Sequence, residues 1–185
     1  MTDAPRIGFI CGSLRDGSIN QTLKSALKKR VKAAGAKAVE ISLATYDLPL
    51  FHGDLDMPPN AKKLAAKMKK CDGVIIVTPE YNGGLPPVLK NAIDWTSCFG
   101  TDQFTMPIYG MASCSPGPMS GIMCMRQLHY ILNRVGAQVV QAHAGVGHGL
   151  DSFDAKGRLT AQPYSDKVDK MIGQMLKQIA LKRSA

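Results

Sequence analysis

The sequence predicts an α/β fold in which a parallel sheet is covered on both faces by helices. Short apolar runs rich in β-branched residues alternate with helix-period segments along the whole chain. The runs read as strands buried on both sides, which is the signature of parallel rather than antiparallel sheets. At 185 residues, with no internal repeat, low-complexity tract or linker, the chain is expected to form one domain over residues 1–185.

Taken in order, Arg6–Cys11 is the first predicted strand. The helix after it carries Ile19, Leu23, Leu27 and Val31 at every fourth position, a stripe that packs on a sheet. Lys37–Leu43 is the second strand, and the lysine-rich segment from Lys62 to Lys70 reads as an amphipathic helix. Gly73–Thr78 is the third, after which Pro86 or Pro87 suits the first turn of a helix continuing from Val88 to Trp95. Pro107–Ala112 is the fourth strand. Leu128, Ile131, Leu132 and Val135 mark the next helix, with Gly136 as its C-cap. Gln138–Ala142 is the fifth strand. The last helix is the clearest, since Val168, Met171, Ile172, Met175, Leu176 and Ile179 keep i, i+3, i+4, i+7 spacing.

Composition narrows the function. Hydrophobic residues make up 45% and charged residues 20%, the balance of an ordinary globular protein. The net charge of +9 calls for a nucleic-acid or phosphate-bearing partner to be considered. Residues 1–70 hold 13 Lys+Arg against 6 Asp+Glu, concentrated in Lys24–Lys37 and Lys62–Lys70. Those segments are amphipathic, aromatic residues are not interleaved with the charges, and no nucleic-acid-binding motif is present. A solvated helix face is therefore the expectation, with no nucleic-acid partner. Five cysteines, an odd number with no CxxC pair, argue against a zinc finger or a secreted disulfide framework. No apolar run is long enough to span a bilayer, and Met1–Gly12 lacks the apolar stretch of a signal peptide. The expectation is a cytoplasmic protein.

In parallel α/β sheets, ligands bind beyond the carboxyl ends of the strands, so the loops after strands one, three and four matter most. The first, Gly12 to Asn20, reads as a capped helix start. Ser18 with Gln21 three residues later forms a capping-box pattern, and the helix N-terminus presents free N–H groups. With Ser13, Ser18, Asn20 and Arg15 it could be a phosphate cradle; a plain capped helix after a glycine turn is the alternative. It is neither a Walker loop nor a GxGxxG fingerprint. The second loop, Thr78 to Pro87, has Asn82-Gly83 as turn residues. Tyr81 beside two glycines suits a flat aromatic ligand pressed against exposed main chain. The third, Ala112 to Gly121, is small, polar and rich in Gly and Pro, as a loop wrapping a ligand edge would be.

The segments Gly12-Ser13-Leu14-Arg15, Ser18 and Asn20, and Pro79-Glu80-Tyr81-Asn82 through Leu89-Lys90-Asn91-Ala92-Ile93-Asp94-Trp95, resemble the two signatures of the NAD(P)H-dependent FMN reductase family, which includes bacterial quinone, chromate and azo-dye reductases. Asp47–Phe51 and Phe153–Leu159 extend the likeness to nearly the whole chain. The chain departs from the family where Ser120-Gly121-Ile122-Met123 stands in place of a common Gly-Gly-x-Arg. The resemblance implies a flavodoxin-like fold with a five-stranded sheet of order 2-1-3-4-5. It implies FMN as cofactor and NADPH or NADH as co-substrate. It implies that Ser13, Arg15, Ser18 and Asn20 hold the phosphate, that Pro79, Glu80, Tyr81, Asn82 and Gly83 line the isoalloxazine, and that Ser115 touches the cofactor. The implied activity passes a hydride to FMN and then electrons to a small acceptor, with ping-pong kinetics and no catalytic side chain. A homodimer or homotetramer is implied, with Trp95, Phe99 and Met119–Met125 available for the contact.

The four histidines are not spaced as a metal site, and His129 suits a helix surface. His148 follows the fifth strand, where a bystander role is the commoner outcome. Cys114 suits a small buried residue. Rival readings are a reductase that releases reduced FMN to a monooxygenase, a flavodoxin-like electron carrier, which +9 disfavours, and a non-catalytic flavin- or nucleic-acid-binding module.

Overall fold

A computed structural model describes residues 3–184. Strands β1 (Arg6–Cys11), β2 (Lys37–Ile41), β3 (Gly73–Val77) and β4 (Ile108–Cys114) pair in parallel, with β5 (Gln138–Val139) and β6 (Ala144–Val146) both on the far side of β4. The order is β2-β1-β3-β4-β5, as expected. Side chains alternate across each strand and sort into two cores. Ile7, Phe9, Ile75 and Val77 meet helix α1 (Ile19–Ala33) through Leu23, Leu27 and Val31 on one face. The long C-terminal helix α6 (Gln162–Ser184) adds Val168, Met171, Met175 and Ile179 to that face. On the other face Ile10, Ile76 and Met111 meet Leu64 and Met68 of α2 (Pro59–Lys69), Leu89 and Ile93 of α3 (Pro87–Ser97), and Leu128 and Leu132 of α5 (Ile122–Arg134). The short α4 (Asp102–Thr105) lies before β4.

Three expectations are corrected. The fifth strand is broken rather than continuous over Gln138–Ala142. It leaves β4 after Val140, whose N–H still reaches the Tyr109 carbonyl at 2.9 Å, and the Ala142 N–H finds the Gln174 Oε1 of α6 at 2.9 Å before pairing resumes at Ala144. An edge strand has one pairing neighbour only, so a single side-chain acceptor suffices to interrupt it. β2 stops at Ile41, because a 3-10 turn at Leu43–Thr45 takes over the chain. β4 runs two residues past Ala112, which moves the start of the third loop to Ser115. Among the described residues no helix is long and apolar enough to cross a membrane.

Candidate functional site

The loops after β1, β3 and β4 share one end of the sheet. β1 hands over to its loop at Gly12, whose N–H reaches the Val77 carbonyl at 2.8 Å. Here the strand ends approach so closely that a Cβ on Gly12 would lie 2.9 Å from Thr78 Oγ1. The chain then turns outward over exposed Leu14–Gly17 and re-enters at Ser18. Ser18 is the predicted N-cap: its hydroxyl accepts the Asn20 N–H at 3.2 Å. The reciprocal half of the capping box does not form. Gln21 instead donates its side-chain amide to the Ser13 carbonyl at 2.7 Å, holding the base of the loop. Among the described residues, the backbone N–H groups from Leu14 to Ile19 find no acceptor within the protein. Among the described residues Arg15 is exposed and in no ion pair, and Ser13 and Ser18 are buried. Six free donors at the positive end of α1, with this guanidinium, are groups that could hold an anion.

Asn20 sits deeper than a surface ligand would. Its Nδ2 donates to the Cys114 carbonyl and its Oδ1 accepts the Cys114 N–H, both at 2.9 Å. This two-way bond ties the first turn of α1 to the end of β4, and so fixes the first loop relative to the third. One amide hydrogen remains free for other use.

The second loop is a tight hairpin. Tyr81 and Gly84 exchange N–H to carbonyl bonds, each of 3.0 Å, around Asn82 at φ 51° and Gly83 at φ 77°. Two consecutive positive φ values define a type I′ turn, for which Asn-Gly is the preferred pair. Tyr81 is 47% exposed, and the N–H groups of Glu80, Asn82 and Gly83 have no protein acceptor among the described residues. Pro79 is buried at the hairpin's root. The Glu80 carboxylate turns inward: Oε2 accepts the N–H groups of Met123 and Cys124 at 2.9 and 3.1 Å. It thereby caps α5, whose N-cap position is Gly121 and supplies no side chain. The Gln127 Oε1 accepts the Leu85 N–H at 2.7 Å, so α5 grips the hairpin at both ends. Nothing in the sequence marks Gln127 for this; it is one polar residue among several on a helix.

In the third loop the Ser115 hydroxyl donates to the Gly117 carbonyl at 2.8 Å and accepts the Ser120 N–H at 2.9 Å. Its backbone bonds Val146 and Gly149. His148, at φ 48°, contributes its N–H to Gly117, and its side chain is exposed. Cys114 is buried, and burial pushes its thiol up to about 12; Cys124 is likewise pushed up to about 11, chiefly by burial. Both are inert as nucleophiles at neutral pH.

Asn91 and Trp95 serve a fourth segment. Asn91 donates to the Leu48 and Pro49 carbonyls and accepts the Phe51 N–H, while the Trp95 indole donates to Pro49 at 2.7 Å. Phe51 packs edge-on against Trp95 with ring centroids 4.9 Å apart. Trp95 is therefore buried and not available for a subunit contact. It holds the segment that carries Leu50 and Phe51, both of which are exposed.

The chain matches the family of NADPH-dependent FMN reductases over residues 5–151. It belongs to that family. A quinone reductase of Pseudomonas putida is 33% identical over 167 residues, covering 86% of this chain and 87% of its own. An NAD(P)H-dependent FMN reductase of Pseudomonas aeruginosa is 28% identical over 186 residues, 98% of this chain and 96% of its own. Among solved structures, FerB, a flavoenzyme NAD(P)H:(acceptor) oxidoreductase from Paracoccus denitrificans, aligns with a TM-score of 0.80 at 26% identity, covering 94% of this chain and 98% of that one. The fold is flavodoxin-like, the family's cofactor is FMN and its electron donor is NAD(P)H. The donor set described above fits such a group: free N–H groups and a cation for a phosphate, and a bare hairpin for a flat ring.

Proposed function

We propose that the chain is an NAD(P)H oxidoreductase that delivers electrons to a small acceptor such as a quinone, an azo compound or a metal oxyanion. The observation that carries the reading is the unbroken run of free N–H groups from Leu14 to Ile19, set across the sheet end from the exposed hairpin at Tyr81–Gly83. Residues 1–185 act as one FMN-binding domain, supported by two cores on either side of a single sheet. When bound, FMN supplies the redox chemistry, accepting a hydride from the nicotinamide and releasing electrons to the acceptor.

The protein's own part is to bind and orient. Ser13, Arg15, Ser18 and the free N–H groups hold the phosphate; Asn20 braces them and offers its remaining amide hydrogen. Pro79, Glu80, Tyr81, Asn82 and Gly83 line the ring through their main chain, while the Glu80 side chain stays on α5. Ser115 shapes the third loop against the cofactor's edge. No side chain serves as acid or base. Donor and acceptor use one open face in turn, so steady-state kinetics are ping-pong, with parallel double-reciprocal lines. Leu50 and Phe51 after β2, Tyr81 on the hairpin and Met123 on α5 are exposed apolar residues outside the groove that Met119 and Ile122 line. They favour a homodimer or homotetramer, which sedimentation velocity checks. All five cysteines are unpaired, which favours a reducing, cytoplasmic setting.

The deciding experiment is an absorption spectrum of the purified protein followed by anaerobic addition of NADPH. One FMN per chain, bleached on NADPH addition, is expected. A protein that binds FMN no better than FAD, or that is not bleached, overturns the reading. Flavin lost during purification and exchanged freely in turnover would point instead to a reductase that hands reduced FMN to a partner.

A further inference from the structure

Behind the third loop, on the side away from the first, lies an open groove of about 530 Å³. That is the size of a small-molecule site. Met119, Ile122 and Met125 give it apolar walls, and His143 sits between β5 and β6 on its sheet side. Its opposite rim is α6, which presents Lys167 and Lys170. No Asp or Glu lines it. The acids of the same helix are engaged elsewhere: Asp166 accepts from Gln162 at 2.7 Å, and Asp169 pairs with Arg30 at 2.7 Å. Among the described residues neither lysine is in an ion pair, and the Lys167 ammonium rests 5.4 Å from the Tyr164 ring centroid. Two lysines three residues apart stand side by side on a helix and can converge on one anionic group.

The shared wall matters. Pro118, Met119 and Ser120 border the groove, and they belong to the same loop as Ser115, whose hydroxyl accepts the Ser120 N–H and which, on the proposed function, shapes the flavin site. A dinucleotide with its nicotinamide at that site must lay its adenosine half nearby. The second and third loops contain no Lys or Arg, Lys90 is paired with Asp94, and Arg15 is assigned to FMN. Among the residues that line the apolar cleft, Lys167 and Lys170 are the cations.

We infer that this groove receives the adenosine end of NADPH, with Lys167 and Lys170 holding the 2′-phosphate and so selecting NADPH over NADH. The inference rests on the functional reading above. A monophosphate ester carries close to two negative charges at neutral pH, which the corresponding hydroxyl of NADH lacks. The apolar walls take the adenine, and the lysines discriminate.

The test is the double variant Lys167→Gln/Lys170→Gln, with Arg126→Gln on α5 as control. FMN-loaded enzyme is assayed with benzoquinone against both nucleotides, and binding of 2′,5′-ADP and of 5′-AMP is measured calorimetrically without turnover. The double variant should raise the KM for NADPH and the Kd for 2′,5′-ADP by about ten- to a hundred-fold, the loss expected for charge-assisted bonds. The KM for NADH and the Kd for 5′-AMP should move less than about twofold, as expected where no phosphate contact is lost. Equal shifts for both nucleotides, no shift for either, a wild type indifferent to the 2′-phosphate, or a loss that follows Arg126 instead would each overturn the assignment. A wild type that neither holds FMN nor oxidises either nucleotide fails at the earlier reading, before the groove is tested, and removes the ground for both.

Discussion

The loop after β1 leaves six consecutive N–H groups and the Arg15 guanidinium without a protein partner, whereas the loops after β3 and β4 turn Glu80 and Ser115 inward. The first region is open donor capacity at a helix N-terminus. The others are frames: their side chains hold backbone in place, and their free main-chain groups face outward. Residues of the three loops thus divide into those with no protein partner among the described residues and those that hold backbone in place. The division predicts separable phenotypes.

The largest effect should come from the residue that joins the two regions. Asn20→Ala strands both the N–H and the carbonyl of Cys114 in a buried place. Each unpaired group costs about 1–3 kcal/mol, so a loss of about 2–6 kcal/mol in urea denaturation is expected, together with weaker FMN binding. A variant with unchanged stability and weakened FMN binding alone would make Asn20 a ligand and not a brace.

Arg15→Ala should do the reverse. Fold stability should change by less than about 0.5 kcal/mol, since the side chain is exposed and unpaired. FMN affinity should fall about ten- to a hundred-fold, while riboflavin, which lacks the phosphate, loses much less. Equal losses for the two flavins would move Arg15 from the phosphate to the ring or to the loop's own support.

Glu80→Gln sharpens the contrast from the frame side. The amide still accepts, but the negative charge at the N-terminus of α5 is gone, worth about 0.5–1.5 kcal/mol of stability. If the hairpin that Glu80 anchors lines the ring as proposed, FMN and riboflavin should weaken by the same modest factor. A phosphate-selective loss would contradict this placement.

These assignments mark how far the residues alone could be read. The strands and the helix starts at Ser18 and Pro87 follow from period and caps, which are local properties, whereas the strand order is implied by the family resemblance and not by any local pattern. The break at Gln141–His143 is not local either, because its cause is Gln174, 32 residues on from Ala142. The free N–H groups of loop one were legible because they follow from a helix start. The inward turn of Glu80 was not, because a carboxylate in a ligand motif looks the same whether it meets a cofactor or caps a helix 43 residues away. Trp95 was misplaced for a similar reason: an indole on a helix suits an interface until its N–H is seen on the Pro49 carbonyl.

The smallest effect concerns His143, which sits at the groove and outside both regions. Burial first, and then the His129 ring on α5 with its centroid 5.3 Å away, lower its pKa from the ordinary 6.5. The unfolded chain therefore takes up a proton near pH 6.5 that the folded chain accepts only at lower pH. Between those two values unfolding binds a proton, so stability rises with pH. The contribution is complete above about 6.5 and lost as pH falls through the folded value. His143→Gln should accordingly flatten the decline of the urea midpoint below neutral pH without altering FMN affinity. His129→Gln removes the repelling neighbour and leaves burial, so it should flatten the decline only in part. A steeper decline in His143→Gln would mean that the folded protein holds His143 protonated, with the Lys167–Lys170 rim too distant to oppose the charge.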